Sequence, residues 1–274
     1  MNISKTALWL SVLVAVLVLL ASGAGLLLTS TYAGETASWA VQGIGQDIVN
    51  LVAALALLIT ASLVNKGSVK AFLVWSGVLL YLIYAYVIYA FDVHFNRLFL
   101  VYVAILGLSV YALVSLVIHL RLDELKASFS ATSKARAVSV FLLVLGILFY
   151  LLWFSEEIPA LLTGQIPPSV TTANVPTNPV HVLDLGLYLP AMIITAVLLW
   201  RRKLVGYLLA GPLLVFSILT GTAILAIFLV MSTREMPTSI AVEAFFAIII
   251  VVSLVLSVLY VREVKEQAGV PFVR

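Results

Sequence analysis

The residues best suited to chemistry in this chain are carboxylates and imidazoles at the ends of long apolar runs. His181 and Asp184 stand at the head of a run that reaches Trp200 and finishes on Arg201-Arg202-Lys203. Their three-residue spacing puts both on one face of a helix. Such a pair suits metal ligation or an imidazole oriented by a carboxylate. The plainer reading is that Asp184 favours the positive end of the helix dipole and His181 sits at the headgroup level, with Asn178 or Thr177 as cap and Pro179 near the first helical position. Asp47 heads an earlier run in the same way, following Gln46 and ending near Asn65-Lys66. If the two runs are equivalent, Asp47 and Asp184 face one another, and two carboxylates held close share a proton or bind a cation.

Three further places qualify. In the turn Phe91-Asp92-Val93-His94-Phe95-Asn96-Arg97, Asp92, His94 and Asn96 offer oxygen and nitrogen ligands, and Arg97 can meet a carboxylate or an anionic headgroup. A surface turn anchored by its aromatics explains it equally. Glu243 lies inside the apolar run Ile240–Val261, where an ionisable side chain faces protein or a wet cavity rather than lipid. Arg97 or Arg234 is its simplest partner. Glu156-Glu157, before Pro159 and beside Trp153, is either a solvated helix end or a pocket wall. Hydroxyls of Tyr81 and Tyr84 could line a polar path, whereas Ser217, Thr220, Gly221 and Thr222 read as small surface for helix contact. The candidate ligand- or cation-binding residues are therefore Asp47, Asp92, His94, His181, Asp184 and Glu243. Candidate ligands for a divalent transition metal are His94, His181 and Asp184. Haem between His94 and His181 is disfavoured, because each lies near a helix end.

What is missing narrows the chemistry. With no cysteine there are no disulfides, thiolate ligands or iron–sulfur clusters. No P-loop, His-Glu-x-x-His, Gly-x-Ser-x-Gly or glycine-rich dinucleotide motif is present. The net charge is +3, and no Lys/Arg block is long enough for nucleic acid. Neither a deep charged residue nor a broken helix is legible mid-span, as a proton- or sodium-coupled carrier would have.

The elements that must carry these residues are membrane helices. The chain is 64% hydrophobic and 10% charged, whereas a soluble surface needs about 25% charged residues. Apolar runs of about 20 residues cross roughly 30 Å of hydrocarbon as helix. Backbone groups in lipid must bond internally, and the runs lack the alternation of barrel strands. The fold class is an all-α integral membrane protein with eight spans: Ala7–Thr29, Asp47–Val64, Ala71–Phe91, Leu98–Leu120, Val138–Phe154, His181–Trp200, Val205–Met231 and Ile240–Val261. The first outruns a typical signal-peptide core and is expected to be retained. Pro190 and Pro212 fall within spans and predict kinks.

Alternation of eight spans sorts the charges. Lys5, Lys66, Lys70, Arg121, Lys126, Lys134, Arg136, Arg201, Arg202, Lys203, Arg262, Lys265 and Arg274 share one side, leaving Arg97 and Arg234 on the other. The positive-inside bias then places both termini in the cytoplasm of a plasma-membrane protein. Glu35, Asp47, Asp92, Glu156, Glu157, Asp184, Glu235 and Glu243 make the outer mouth acidic, and His94 and His181 lie there too.

The two halves read as parallel four-helix repeats. Asp47 with Lys66 matches Asp184 with Lys203, and Ser76-Gly77-Val78-Leu79-Leu80 resembles Ala210-Gly211-Pro212-Leu213-Leu214. The domains expected are a first unit (1–121), a cytoplasmic linker (122–137), a second unit (138–262) and a tail (263–274). The outer loop Gly164–Val180 is long, uncharged and turn-rich, either a lid or a plain connection.

Three functions fit. One is binding or transport of a small molecule or cation through an acidic, His-bearing chamber where the halves meet at the outer face. Another is a non-catalytic subunit or assembly factor whose outer ends meet a membrane-protein partner or a second copy. The last is a metal-dependent enzyme acting on a lipid or quinone near the outer leaflet. In all three the bilayer is the constant partner.

Overall fold

The computed structural model describes residues 3–129 and 133–266; positions 130–132 of the expected linker, and the expected tail from 267 to Arg274, lie outside the described residues. Eight helices are long and apolar enough to cross a membrane. They are α1 (Ile3–Leu27), α2 (Ala37–Asn65), α3 (Val69–Phe91), α4 (Phe99–Val117), α6 (Ser133–Thr163), a composite helix, α10 (Leu204–Thr233) and α11 (Ile240–Glu263). The composite is α8 (Pro179–Leu183), one π-helical turn (Asp184–Tyr188) and α9 (Leu189–Trp200). Two short helices lie in connections, α5 (Leu122–Lys126) and α7 (Pro168–Ala173). Large apolar side chains left exposed along the spans, among them Leu20, Ile59, Leu100 and Leu151, form the surface expected against lipid.

Side-chain caps explain where several helices begin. The Thr36 hydroxyl accepts from the Trp39 amide at 3.2 Å, and the Ser68 hydroxyl from the Ala71 amide at 3.1 Å. The Asn178 carbonyl takes both Val180 N–H and His181 N–H, at 3.0 and 3.2 Å, ahead of Pro179. Each satisfies donors that the first turn of a helix leaves orphaned. The turns α2–α3 and α9–α10 share one construction. Gly67 and Arg202 both take a positive φ (90° and 57°), and the following amides, Ser68 and Lys203, bond back to Leu63 O and Leu198 O.

Three boundaries differ from the sequence expectation, and all three matter at the site. Helix α2 starts at Ala37, so Asp47 lies about three turns inside it rather than at its head. Helix α6 continues through Pro159 to Thr163, which puts Glu156 and Glu157 on a helix face rather than at a helix end. The sixth span is not continuous α-helix: it widens into the π-turn that begins at Asp184. A charged residue well inside a span and an interrupted helix are therefore both present.

Each half packs in the same cyclic order. Helix α1 lies against α2, α2 against α3, α3 against α4, and α4 against α1; in the second half α6, α9, α10 and α11 repeat that circuit, with the α6–α11 contact the loosest. The halves meet through α10, which packs on both α2 and α3. Glycine allows the approach: a Cβ at Gly45 would lie 2.5 Å from the Ile227 Cα, and one at Gly77 2.6 Å from the Pro212 carbonyl oxygen. The Tyr188 hydroxyl donates to Leu80 O at 2.9 Å across the same junction. Helix α3 is the most buried of the eight spans, with Trp75, Tyr81 and Tyr86 fully enclosed.

Candidate functional site

At the end of the bundle bearing Glu35, Asp92, Glu156 and Glu235, hereafter the acidic end, the halves separate around a cavity of about 790 Å³. Its walls come from α2, α3, α6, α7, the composite helix, α10 and α11. The mouth reaches the exposed residues Pro168 and Thr172 of α7. The cavity extends to Phe216 on α10, roughly 25 Å of helix from that helix's last turn. This size suits a small organic molecule. Toward the basic end, the close approach of α3 and α10 at Gly77 and Gly211 lies beyond its floor.

Residues of the uncharged loop line the mouth of the chamber. Helix α7 docks on α2, with Val170, Ala173 and Val175 packed against Trp39. The Thr36 hydroxyl donates to Thr172 O at 3.0 Å, and Glu156 accepts the Ser169 amide at 3.0 Å, so both sides of the mouth hold the lid.

His181 and Asp184 both line the chamber, as their spacing suggested, yet they do not bond to each other. The buried His181 ring meets Glu157 Oε1 through Nδ1 at 2.6 Å and lies on the Trp153 indole, ring centres 4.2 Å apart. Trp153 Nε1–H donates to Asp184 Oδ2 at 2.9 Å. The Tyr84 phenol is a second neutral neighbour of that carboxylate. Tyr84, Tyr188 and Phe216 form one aromatic cluster, Tyr188 stacking on Phe216 at 4.3 Å and Tyr84 standing edge-on to both at 5.0 and 5.4 Å.

Asp47 has the opposite setting. It is 1% exposed, with Tyr32 donating to Oδ2 at 2.5 Å and Tyr89 to Oδ1 at 3.0 Å. Gly25 makes room for it, since a Cβ there would coincide with the carboxylate. Tyr32 belongs to the α1–α2 connection; its burial, and then the Asp47 charge, push the phenol far above its ordinary pKa, so it remains a donor. Asp47 therefore does not form the carboxylate pair with Asp184 that equivalence of the runs suggested.

The remaining candidates are dispersed. The His94 amide and Nδ1 meet the two carboxylate oxygens of Glu35 at 2.8 Å each, and Glu35 lines the chamber while His94 stands half-exposed outside it. Asp92 ends α3, where burial raises its carboxyl to about 6. Asn96 is used structurally, bonding Thr31 O and the Leu98 amide. Glu243 sits in the first turn of α11 and, among the described residues, pairs with neither Arg97 nor Arg234. No three His, Asp or Glu side chains among the described residues converge as metal ligands. The proposed set of His94, His181 and Asp184 is thus not assembled: one imidazole is held by Glu35, the other by Glu157.

Sequence reasoning counted Glu35 only among the acids of the mouth, passed over Trp39, and read Ser217, Thr220 and Gly221 as packing, although all line the chamber. A polar side every three to four residues on α10 was the available signal. The chain matches no known protein family, no curated protein and no solved structure.

Proposed function

We propose that this chain is a membrane-embedded binding protein, serving the uptake or sensing of a small molecule, whose chamber between two four-helix units opens at the acidic end. The carrying observation is that cavity: both halves wall it, and it holds His181, Asp184, Glu35 and Glu156 over an aromatic interior. The matching circuits of helices and the matching turns at Gly67 and Arg202 support a parallel repeat comprising 1–121 and 138–262. The sidedness of Lys and Arg supports an outward acidic end with both termini on the cytoplasmic side of the cell membrane. A metal-enzyme role loses its main support because its proposed ligands stand apart.

The absence of native cysteine supplies the test. Thr220→Cys places a thiol in the chamber wall, and Ser109→Cys places one in a fully buried site. A membrane-impermeant maleimide added to intact cells is expected to label the first and spare the second. Labelling of Thr220→Cys only after the membrane is opened would reverse the orientation. No labelling under either condition would refute an open chamber.

A further inference from the structure

The chamber walls carry an unbalanced charge. Glu35, Glu156 and Asp184 contribute carboxylates, while no Lys or Arg is among the lining residues. Two nearby carboxylates are answered by imidazoles, Glu35 by His94 and Glu157 by His181. Asp184 takes the Trp153 indole N–H and the Tyr84 phenol, and the one cationic group that acts on it among the described residues is the His181 imidazole, itself bonded to Glu157. A carboxylate at membrane depth that no Lys or Arg reaches is costly, and a bound cation offsets that cost.

The surfaces around Asp184 are those a soft cation prefers. The faces and edges of Tyr84, Tyr188 and Phe216 gather beside it at the junction of the halves, and Trp153 closes the other side. Aromatic faces attract organic cations through their quadrupole, most strongly where water is excluded. The interior beyond is apolar, with Phe149 of α6 6.2 Å from Phe246 of α11 at the loosest helix contact. The wall holds a second polar feature: the Trp39 indole N–H is buried with no partner among the described residues.

From these observations we propose that the ligand is a lipophilic organic cation, its positive centre set against Asp184 and the Tyr84–Tyr188–Phe216 cluster. An anion would meet Glu35, Glu156 and Asp184 with no Lys or Arg in the wall, and a neutral ligand would leave that excess of carboxylates unbalanced. The proposal rests on the open chamber argued above.

Tetraphenylphosphonium and tetraphenylborate test it, having nearly the same shape and opposite charge. Full-length Thr220→Cys protein in nanodiscs is treated with a maleimide while each ion is titrated. Tetraphenylphosphonium is expected to slow labelling saturably, and tetraphenylborate to leave it unchanged. Adding Asp184→Asn is expected to raise the protecting concentration about tenfold or more, with Asp184→Glu restoring most of it. Should the Asn variant fail to insert, Phe216→Leu is expected to weaken protection severalfold. Equal protection by both ions, or none by either while the thiol reacts freely, overturns the cation assignment and leaves the chamber standing. An inert thiol refutes the chamber itself.

Discussion

Asp47 and Asp184 look alike in the sequence: each is an acid early in an apolar run that ends in cations. In the structure, one is sealed among α1, α2 and α3 and the other faces the chamber. Asp47 is closed off by a phenol from the preceding connection and another from α3, over a glycine that leaves just enough room. Asp184 begins a π-turn, which widens the helix, and takes the Trp153 indole N–H and the Tyr84 phenol while remaining on the chamber wall. The difference teaches that a bonded carboxylate is defined by whether an open wall remains beside its donors. Two phenols and a glycine close Asp47 into the packing; Asp184, on the chamber wall, is available to a ligand.

Stability should separate the two most sharply. Asp47→Ala takes the carboxylate acceptor from the buried Tyr32 and Tyr89 hydroxyls, leaving Tyr89 the Gly43 carbonyl, for an expected loss of about 3 kcal/mol, read by denaturant or SDS unfolding of the purified protein. Asp184→Asn keeps its shape and its acceptor for Trp153, so about 1 kcal/mol or less is expected. Equal losses would break the comparison.

Gly25→Ala forces a methyl onto the Asp47 carboxylate and should cost about 2 kcal/mol as overpacking. The control Gly23→Ala, which meets nothing within 4 Å, should be neutral in the same unfolding assay. Matching losses at both positions would argue against the cage.

Tyr89→Phe removes one of the two phenol donors and should cost about 1 kcal/mol. Although Tyr89 also lines the chamber, Phe keeps its ring, so tetraphenylphosphonium protection of Thr220→Cys should change little. A large loss of protection would mean that the sealed carboxylate contributes to the chamber after all.

The smallest effect concerns pH. Because burial raises the folded Asp92 carboxyl to about 6 from 3.8, the folded state holds that proton more tightly than the unfolded one. Its stabilising contribution is complete below the unfolded value and is lost as pH rises through the folded one. Asp92→Asn should therefore unfold like the parent at acid pH and be slightly more stable at neutral pH, by a margin reduced by solvent around this half-exposed group. A variant that gains stability at acid pH instead would contradict the sign.

Much of the framework was legible before any coordinates. Eight spans follow from apolar length alone, and the three-residue spacing of His181 and Asp184 puts both on one helix face. The depth of Asp47 was hidden because Gln42, Gly43, Gly45 and Gln46 dilute the hydropathy of the first turns of α2. Its cage was hidden because Tyr32 arrives from a connection and Tyr89 from another helix. The π-turn leaves no compositional mark. The pairing of His94 with Glu35 and His181 with Glu157 depends on segments that only packing brings together, so a metal site built from histidine positions misjudged which carboxylates they would meet.

The most direct measurement compares the two acids within one sample. Native membranes are treated with a water-soluble carbodiimide and a glycine ester, and peptides bearing Asp47 and Asp184 are quantified by mass spectrometry. The account predicts modification at Asp184, slowed by tetraphenylphosphonium, and none at Asp47 until the protein is denatured. Comparable modification of both acids, or a faster reaction at Asp47, would contradict it.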